Sequence, residues 1–377
     1  MSENKHLLVI TPFDPCPTDS GGKTRLLFTL KHLSQNFKIK LFYFTKNGLE
    51  SDPNKAFFKR QNIVSNCFKL NRQPFLSFIR TKVPYWFHPW YSEKLTSQLK
   101  KERPKKVLVE STQLLYLVNF IPKKSKKIFT AYDISTISYW RRLNEVVFYK
   151  KPFHFLRLIE TYLYERIYLP KYDTVIAVSQ QDAKVLSKIF KLKSIIVVEN
   201  GIEKVEFIKN RAKHLYLGYL GSPLHPPNIT AVNFLCHRIS PLLGSHKIVL
   251  AGSGDFNQKN RNIKYLGYVN NKKDFYTQIG FLVAPIFAGS GSRLKILEAL
   301  SYGIPVVTTK IGAEGISLKS PLLKIISPKY QTSAKFWVKT IHKMKSRSFS
   351  QAQYQRLKQQ LEPLVWKRIF QKLVLYL

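Results

Sequence analysis

Short apolar runs recur along this chain, each followed by a polar or glycine-bearing loop and then by a stretch with apolar residues three or four apart. Runs at His6–Thr11, Ile39–Phe44, Ile63–Leu70, Val107–Val109, Lys127–Thr130, Asp173–Ser179 and Ile195–Glu199 have the length of buried strands. An Asn200-Gly201 turn then separates a second series at Leu215–Leu220, Ile248–Ala251, Tyr265–Val269, Phe281–Ile286 and Val306–Thr309. Helical periodicity falls between them: from about Lys23 to Asn36, from Tyr139 to Tyr168 as two helices divided near Pro152, and after Gln180. It returns at Asn228–Leu243, Asp274–Ile279 and Arg293–Ser301, and past Pro328. Strands alternating with helices predict parallel sheets covered on both faces. At 377 residues the chain is long enough for two such domains with separate cores.

Chemistry concentrates between Phe281 and Thr309. Pro285 ends the strand, and Ala288-Gly289-Ser290-Gly291-Ser292 lacks bulk, so a ligand can approach its backbone. Ser292 is placed to cap a helix whose Leu294, Leu297 and Leu300 form a buried stripe. Lys295 and Glu298, three apart, share one flank. Free backbone N–H groups, a positive helix end and the cations Arg293 and Lys295 suit a diphosphate, and Glu298 suits a sugar or ribose hydroxyl. The plain alternative is an ordinary strand-helix-strand unit with a solvated helix face. Acid scarcity weighs against it: from Glu206 onward there are six Asp and Glu, and Glu298 and Glu314 both fall in or just after this unit.

The run GSGSRLKILEALSYGIPVVTT, followed by IGAEGI, resembles the donor-binding signature of family-4 glycosyltransferases of the GT-B fold. It is closest to the branch with G-x-G-x-R-x-K-x-x-E-A. That resemblance implies two Rossmann-like α/β domains facing across a cleft, with a C-terminal helix crossing back to the first. The divisions would be 1–203 for the acceptor side, 204–350 for the nucleotide sugar and 351–377 for the returning helix, with Trp366 and Phe370 packing on the first domain. It implies glycosyl transfer from a nucleotide-diphosphate sugar, UDP- or GDP-linked, to a cell-envelope saccharide or lipid-linked acceptor. Retention of anomeric configuration and independence from metal follow from the resemblance alone, and the nucleotide sugar is a substrate rather than a cofactor.

Residue by residue, the resemblance puts Arg293, Lys295 and the amides of Gly291 and Ser292 on the diphosphate, and Glu298 on the ribose. Ser290 stands where two-glutamate relatives carry their first glutamate. Gly21 and Gly22 match a double-glycine loop that lies across from the donor diphosphate. Gly221-Ser222 matches a glycine-serine turn, Gly252 ends the next strand, and Tyr268 lies in the segment facing the base. Asp133, after the strand Lys127–Thr130, is a candidate for acceptor contact, against a plain helix-capping role. His225 could reach a phosphate, although a lone loop histidine is more often inert.

Other classes fit less well. Gly22-Lys23-Thr24 ends like a P-loop, but that motif needs glycine at Pro17; a dinucleotide fingerprint at Gly252 would need glycine at Asn257. The nine histidines form no ligand pair with acids, so no metal site is expected, and Cys16, Cys67 and Cys236 are scattered as in a reducing compartment. Neither a signal peptide nor an apolar run near 20 residues is visible, which predicts a cytoplasmic protein, peripheral on the inner face of the plasma membrane if membrane-bound.

A formal net charge of +40 widens the field of partners. It divides evenly, with 36 basic against 16 acidic residues through Val205 and 26 against 6 beyond, so no basic tail explains it. Such a chain attracts anionic membranes, anionic substrates or nucleic acid. Between Phe68 and Lys106, ten Lys and Arg surround Trp86, Phe87, Trp90 and Tyr91, a pattern suited either to a membrane interface or to aromatics closing the domain core. The rivals to an active transferase are a catalytically silent scaffold at the membrane, a basic nucleic-acid-binding protein on a borrowed enzyme fold, and a nucleotide-sugar epimerase of the same architecture. Nucleic acid ranks below nucleotide sugar as a partner.

Overall fold

The computed structural model describes residues 6–45, 57–58, 61–64, 66–71, 83, 85–144, 146–208, 216–223, 226–244, 246–256, 262–289, 293–345 and 348–377. The chain divides into two compact units. The first comprises 1–18, 22–199 and 370–377; the second comprises 19–21 and 200–369.

The first unit is built on seven parallel strands: β1 (His6–Thr11), β2 (Lys38–Thr45), β3 (Asn66–Asn71), β4 (Lys106–Glu110), β5 (Lys126–Ala131), β6 (Thr174–Ala177) and β7 (Ile195–Val197). Their order is β3-β2-β1-β4-β5-β6-β7. The order reverses between β1 and β4, so the chain leaves their C-terminal ends in opposite directions and opens a crevice there. Helices α1 (Gly21–Leu33), α2 (Glu93–Glu102), α3 (Ser135–Arg142), α4 (Lys151–Tyr168) and α5 (Gln180–Phe190) accompany the sheet. Continuous apolar strands such as Leu7–Ile10 and Val107–Val109 are buried, as a doubly covered parallel sheet requires.

The second unit repeats the plan with six strands: β8 (Tyr216–Leu220), β9 (Ile248–Ala251), β10 (Ile263–Tyr265), β11 (Ile279–Ala284), β12 (Val306–Thr309) and β13 (Leu323–Ile326). Their order, β10-β9-β8-β11-β12-β13, reverses between β8 and β11. All pairings are parallel. Around them lie α6 (Pro226–Phe234), α7 (Lys272–Gln278), α8 (Leu294–Ser301), α9 (Ala334–Lys345) and α10 (Gln351–Leu361), while α11 (Trp366–Val374) begins in this unit and from Phe370 belongs to the first. Each unit is thus a Rossmann-like α/β layer structure.

Several boundaries differ from the sequence reading for local reasons. Pro152 does not divide the helices; it occupies the first turn of α4, where its missing N–H costs nothing, and the break runs from Leu143 through a 3₁₀ turn at Phe148–Lys150. The helix expected over Asn228–Leu243 is regular only to Phe234, then widens into a π turn at Leu235–Ile239 and tightens at Pro241. Tyr268 lies in a loop, because β10 ends at Tyr265. The edge strand β13 has two of its four side chains exposed, so it carries no apolar run to announce it. Phe370 groups with the first unit, its ring 5.4 Å from that of His32 on α1. Trp366, expected beside it, belongs to the second unit, where its N–H donates to the carbonyl of Ile202.

Three of the four aromatics clustered in the basic 68–106 stretch belong to or pack on the core, while half-buried Trp86 meets exposed Phe153 edge-on at 5.0 Å. Phe87 is buried and stacks on Tyr164 at 4.5 Å, Trp90 donates its indole N–H to the carbonyl of Pro12, and Tyr91 packs against the same core. Residues 72–82 of that stretch lie outside the described residues.

Candidate functional site

The switch point of the second sheet, between the ends of β8 and β11, collects most of the candidate residues. Strand β8 ends at Leu220 and turns at Gly221, whose N–H donates to Ala251 O at 2.7 Å. Gly221 has φ +155°, and a side chain there would meet Lys295 Nζ at 2.8 Å and Asn228 Nδ2 at 2.9 Å. Gly252, after β9, is constrained further: a Cβ would strike the backbone of Gly221 at 2.4 Å. The pair therefore brings two strand-end loops into backbone contact, which only glycine permits. Tyr265 ties the second loop down, its hydroxyl 2.6 Å from Gly252 O and 2.5 Å from Gly254 O. Tyr268, just beyond, is exposed.

From β11 the chain passes Pro285 into a loop and then α8. The first helical residue is Leu294, so Arg293 occupies the cap position expected for Ser292. Its guanidinium folds back over the loop: Nη2 lies 3.4 Å from Ala288 O and 2.7 Å from where a Cβ on Gly289 would stand. Gly289, at φ +100°, permits both the turn and the overlay. Ser290, Gly291 and Ser292 lie outside the described residues, as does His225.

Lys295 points into the crevice rather than along the helix surface. Its Nζ donates to Tyr219 Oη and to Asn228 Oδ1, each at 3.1 Å, and sits 4.2 Å from the centre of the Tyr219 ring. Tyr219 Oη donates to Asn228 Oδ1 at 2.7 Å, and Asn228 Nδ2 donates to Ser222 O at 3.0 Å, which links the lysine to the glycine-serine turn. Burial, followed by repulsion from Arg293, pushes the lysine down to about 7, with Glu298 opposing. The residue keeps partial contact with water, so screening reduces the energetic weight of that shift. A cation close to neutrality gains its full charge when an anion arrives.

Glu298 takes a different role from a lone carboxylate. It pairs with Lys272 of α7, and Tyr276 Oη lies 3.5 Å from its Oε2 and donates to Lys295 O at 3.1 Å. Tyr276, Lys272, Tyr219 and Asn228 were not singled out from sequence. They are ordinary-looking members of a strand and two helices, and only the fold brings them to α8.

In the first unit, Asp133 spends its carboxylate beside α3, accepting from Ser138 Oγ at 3.1 Å and Ser135 Oγ at 3.4 Å. The neighbouring helix end is closed by a carboxylate missed in the sequence, Glu165 of α4. It accepts from the N–H groups of Ser135 (2.9 Å) and Thr136 (3.0 Å) and from Thr136 Oγ1 (2.5 Å). Burial lifts Glu165 to about 7 against those hydrogen bonds. Gly21 and Gly22 open α1, where a Cβ on Gly22 would touch the Phe13 ring at 3.4 Å. Among the described residues no group of three or more His, Cys, Asp or Glu could hold a metal ion.

Two parallel-stranded units with this strand order define the GT-B fold. Residues 214–323, which contain the whole second-unit crevice, match the family model described as "Glycosyl transferases group 1". The complete chain is similar to solved structures at low identity. HepE of Anabaena, solved with UDP and glucose, aligns with TM-score 0.65 and 13% identity, over 99% of this chain and 100% of that one. The pneumococcal O-GlcNAc transferase GtfA, solved with UDP and GlcNAc, gives 0.66 and 10% over 99% and 98%. A glycosyltransferase from Rickettsia africae ESF-5 gives 0.62 and 12% over 99% and 98%. No curated protein matches the chain in sequence.

Proposed function

We propose that the protein is a glycosyltransferase that takes a sugar from a nucleotide-diphosphate donor held at the β8/β11 switch point. The observation that carries this reading is the convergence of Lys295 and Arg293 with the Gly221-Ser222 turn, inside the segment that the glycosyltransferase family model covers. The UDP and glucose held by HepE and the UDP and GlcNAc held by GtfA support a UDP-linked donor. A GDP-linked one meets the same phosphate chemistry.

Departure of the diphosphate builds negative charge on its oxygens. Lys295 and Arg293 would meet that charge, and Lys295 would be fully protonated only once the anion is present, which concentrates stabilisation on the charged state. The amides of Gly291 and Ser292, and the hydroxyl of Ser290, would complete the cradle. Glu298 would exchange part of its contact with Lys272 for a ribose hydroxyl, and the loop bearing Tyr268 would face the base. No metal is needed to offset the charge if two cations do so. Retention of configuration and a diphosphate contact near Gly21 and Gly22 complete the reading as the resemblance has it, and acceptor contact by Asp133 is proposed from its place after β5. A cell-envelope saccharide or lipid-linked acceptor agrees with the +40 charge.

Calorimetric titration with UDP- and GDP-sugars, and donor hydrolysis with each, test the proposal using wild type, Lys295→Ala and Glu298→Ala. Binding of one donor class by wild type and its loss in Lys295→Ala is the expected result. Identical responses from all three proteins would remove the site. Donor binding without hydrolysis or transfer would leave a silent scaffold.

A further inference from the structure

Helix α4 has two apolar faces, and among the described residues only one of them is buried against a core. Leu158, Thr161, Tyr164 and Glu165 point inward, Tyr164 against Phe87. On the other side Leu156, Ile159, Leu163 and Ile167 follow one another at steps of three and four residues, so they form a continuous stripe. The preceding 3₁₀ turn extends it with Phe148 and Tyr149, which are 85% and 76% exposed. From Leu156 to Ile167 the stripe runs about 17 Å along the helix. Scattered exposed apolar side chains need no explanation, but a contiguous stripe at helical period is costly to leave in water.

The surroundings are predominantly basic. Between Tyr139 and Lys171 the sequence has seven Lys and Arg against three Glu, and one of those, Glu165, is buried under α3. Lys150, Lys151, Arg166 and Lys171 are exposed, while Arg141 and Arg142 close the last turn of α3 beside exposed Trp140. Tyr149 and Trp140 have the amphipathic rings that settle at a lipid headgroup boundary.

We propose that this face of α3 and α4 docks the protein in the plane of an anionic bilayer, with the stripe entering the acyl boundary and the basic residues meeting lipid phosphates. Charge decides between occupants. A second copy would set one cluster of cations against its twin, whereas an anionic membrane satisfies both the apolar stripe and the cations at once. None of this depends on the donor site, and no helix among the described residues is long and apolar enough to cross a membrane, so attachment would be lateral.

The test is flotation of the full-length protein with vesicles of phosphatidylcholine alone or with about a third phosphatidylglycerol, alongside sedimentation velocity. The variants are Leu156→Ser/Ile159→Ser/Leu163→Ser, and Lys150→Gln/Lys151→Gln, which leaves the helix packing untouched. Wild type should float with the anionic vesicles, more weakly at high salt and poorly with the neutral ones. The serine variant should lose at least tenfold in partition at an unchanged melting temperature, and the glutamine variant should lose several-fold. Three results would overturn the proposal: no flotation of wild type, equal flotation of wild type and both variants, or a wild-type dimer that the serine variant dissociates. Donor binding by the second unit should be the same in all three proteins, which separates failure here from failure of the transferase reading.

Discussion

Each unit reverses its strand order once, and the two crevices that result are furnished in opposite ways. At the β1/β4 reversal the charges are internal. Arg25 is buried and donates to the carbonyls of Val198 (2.7 Å) and Glu199 (2.9 Å), and Glu110 at the end of β4 is buried within reach of its charge, with Tyr132 nearby. At the β8/β11 reversal cations outnumber carboxylates among the described residues. Lys295 is held by the neutral oxygens of Tyr219 and Asn228, Arg293 repels it, and the one carboxylate on that flank, Glu298, is engaged by Lys272. A crevice that balances its own charge is a structural joint. One that keeps surplus cation beside glycine backbone is prepared for an anion.

The sharpest way to break this contrast is to remove one cation from each crevice. Arg25→Met strands Glu110 without its compensating charge and leaves two carbonyls without their donor, so it should cost about 3–5 kcal/mol of stability, read by urea unfolding. Lys295→Met should do the reverse. The free protein should gain on the order of 1 kcal/mol, because a buried cation with neutral partners is replaced by an apolar chain of similar length. Donor turnover should fall about a hundredfold or more, close to 2.7 kcal/mol of lost transition-state stabilisation. Destabilisation by Lys295→Met to the same extent as by Arg25→Met would erase the distinction between joint and site.

A finer cut separates the lysine from the residues that aim it. Asn228→Leu removes an acceptor for Nζ and the link to Ser222, and Tyr219→Phe removes the other acceptor. Each should cost about 1 kcal/mol, or several-fold in kcat/KM, with KM for the donor rising more than kcat falls. An unchanged KM in both would show that Lys295 is positioned by its own helix.

The contrast also explains what could be read from the sequence. Arg293, Lys295 and Glu298 were legible because loop, helix start and charge lie within a dozen residues. Their supports were not: Tyr219 and Asn228 meet Lys295 across 76 and 67 residues of chain, and nothing local marks a tyrosine on a buried strand as a lysine ligand. Glu165 likewise closes a helix that begins 30 residues earlier. The doubly wound architecture was legible because buried parallel strands are continuous apolar runs. The stripe on α4 was hidden by the same rule, since an apolar helix face reads as core until the fold leaves its side chains exposed. The aromatic cluster near Trp86 left two readings open from sequence, and Phe87 and Tyr91 follow the one in which aromatics close the core.

The pH dependence is the most diagnostic effect, because the two crevices should titrate on opposite sides of neutrality. Burial lifts Glu110 from 4.5 to about 7, with Arg25 opposing. Between those values the folded state binds more protons than the unfolded one, so this contribution is present at low pH and is lost as pH rises towards 7. Lys295 is pushed from 10.5 down to about 7, so above 7 the unfolded state binds more protons and stability grows with pH up to about 10.5. Glu110→Gln should therefore flatten the acid-side slope alone, and Lys295→Met the alkaline-side slope alone, each by on the order of 1–3 kcal/mol across its window. Donor binding sharpens the second half of the test. If a diphosphate restores charge to Lys295, binding above pH 7 takes up a proton, so affinity should fall with rising pH and the binding heat should vary with the ionisation enthalpy of the buffer. Neither dependence should survive in Lys295→Met, and a donor that binds wild type without proton uptake would mean that its phosphates rest elsewhere than on this lysine.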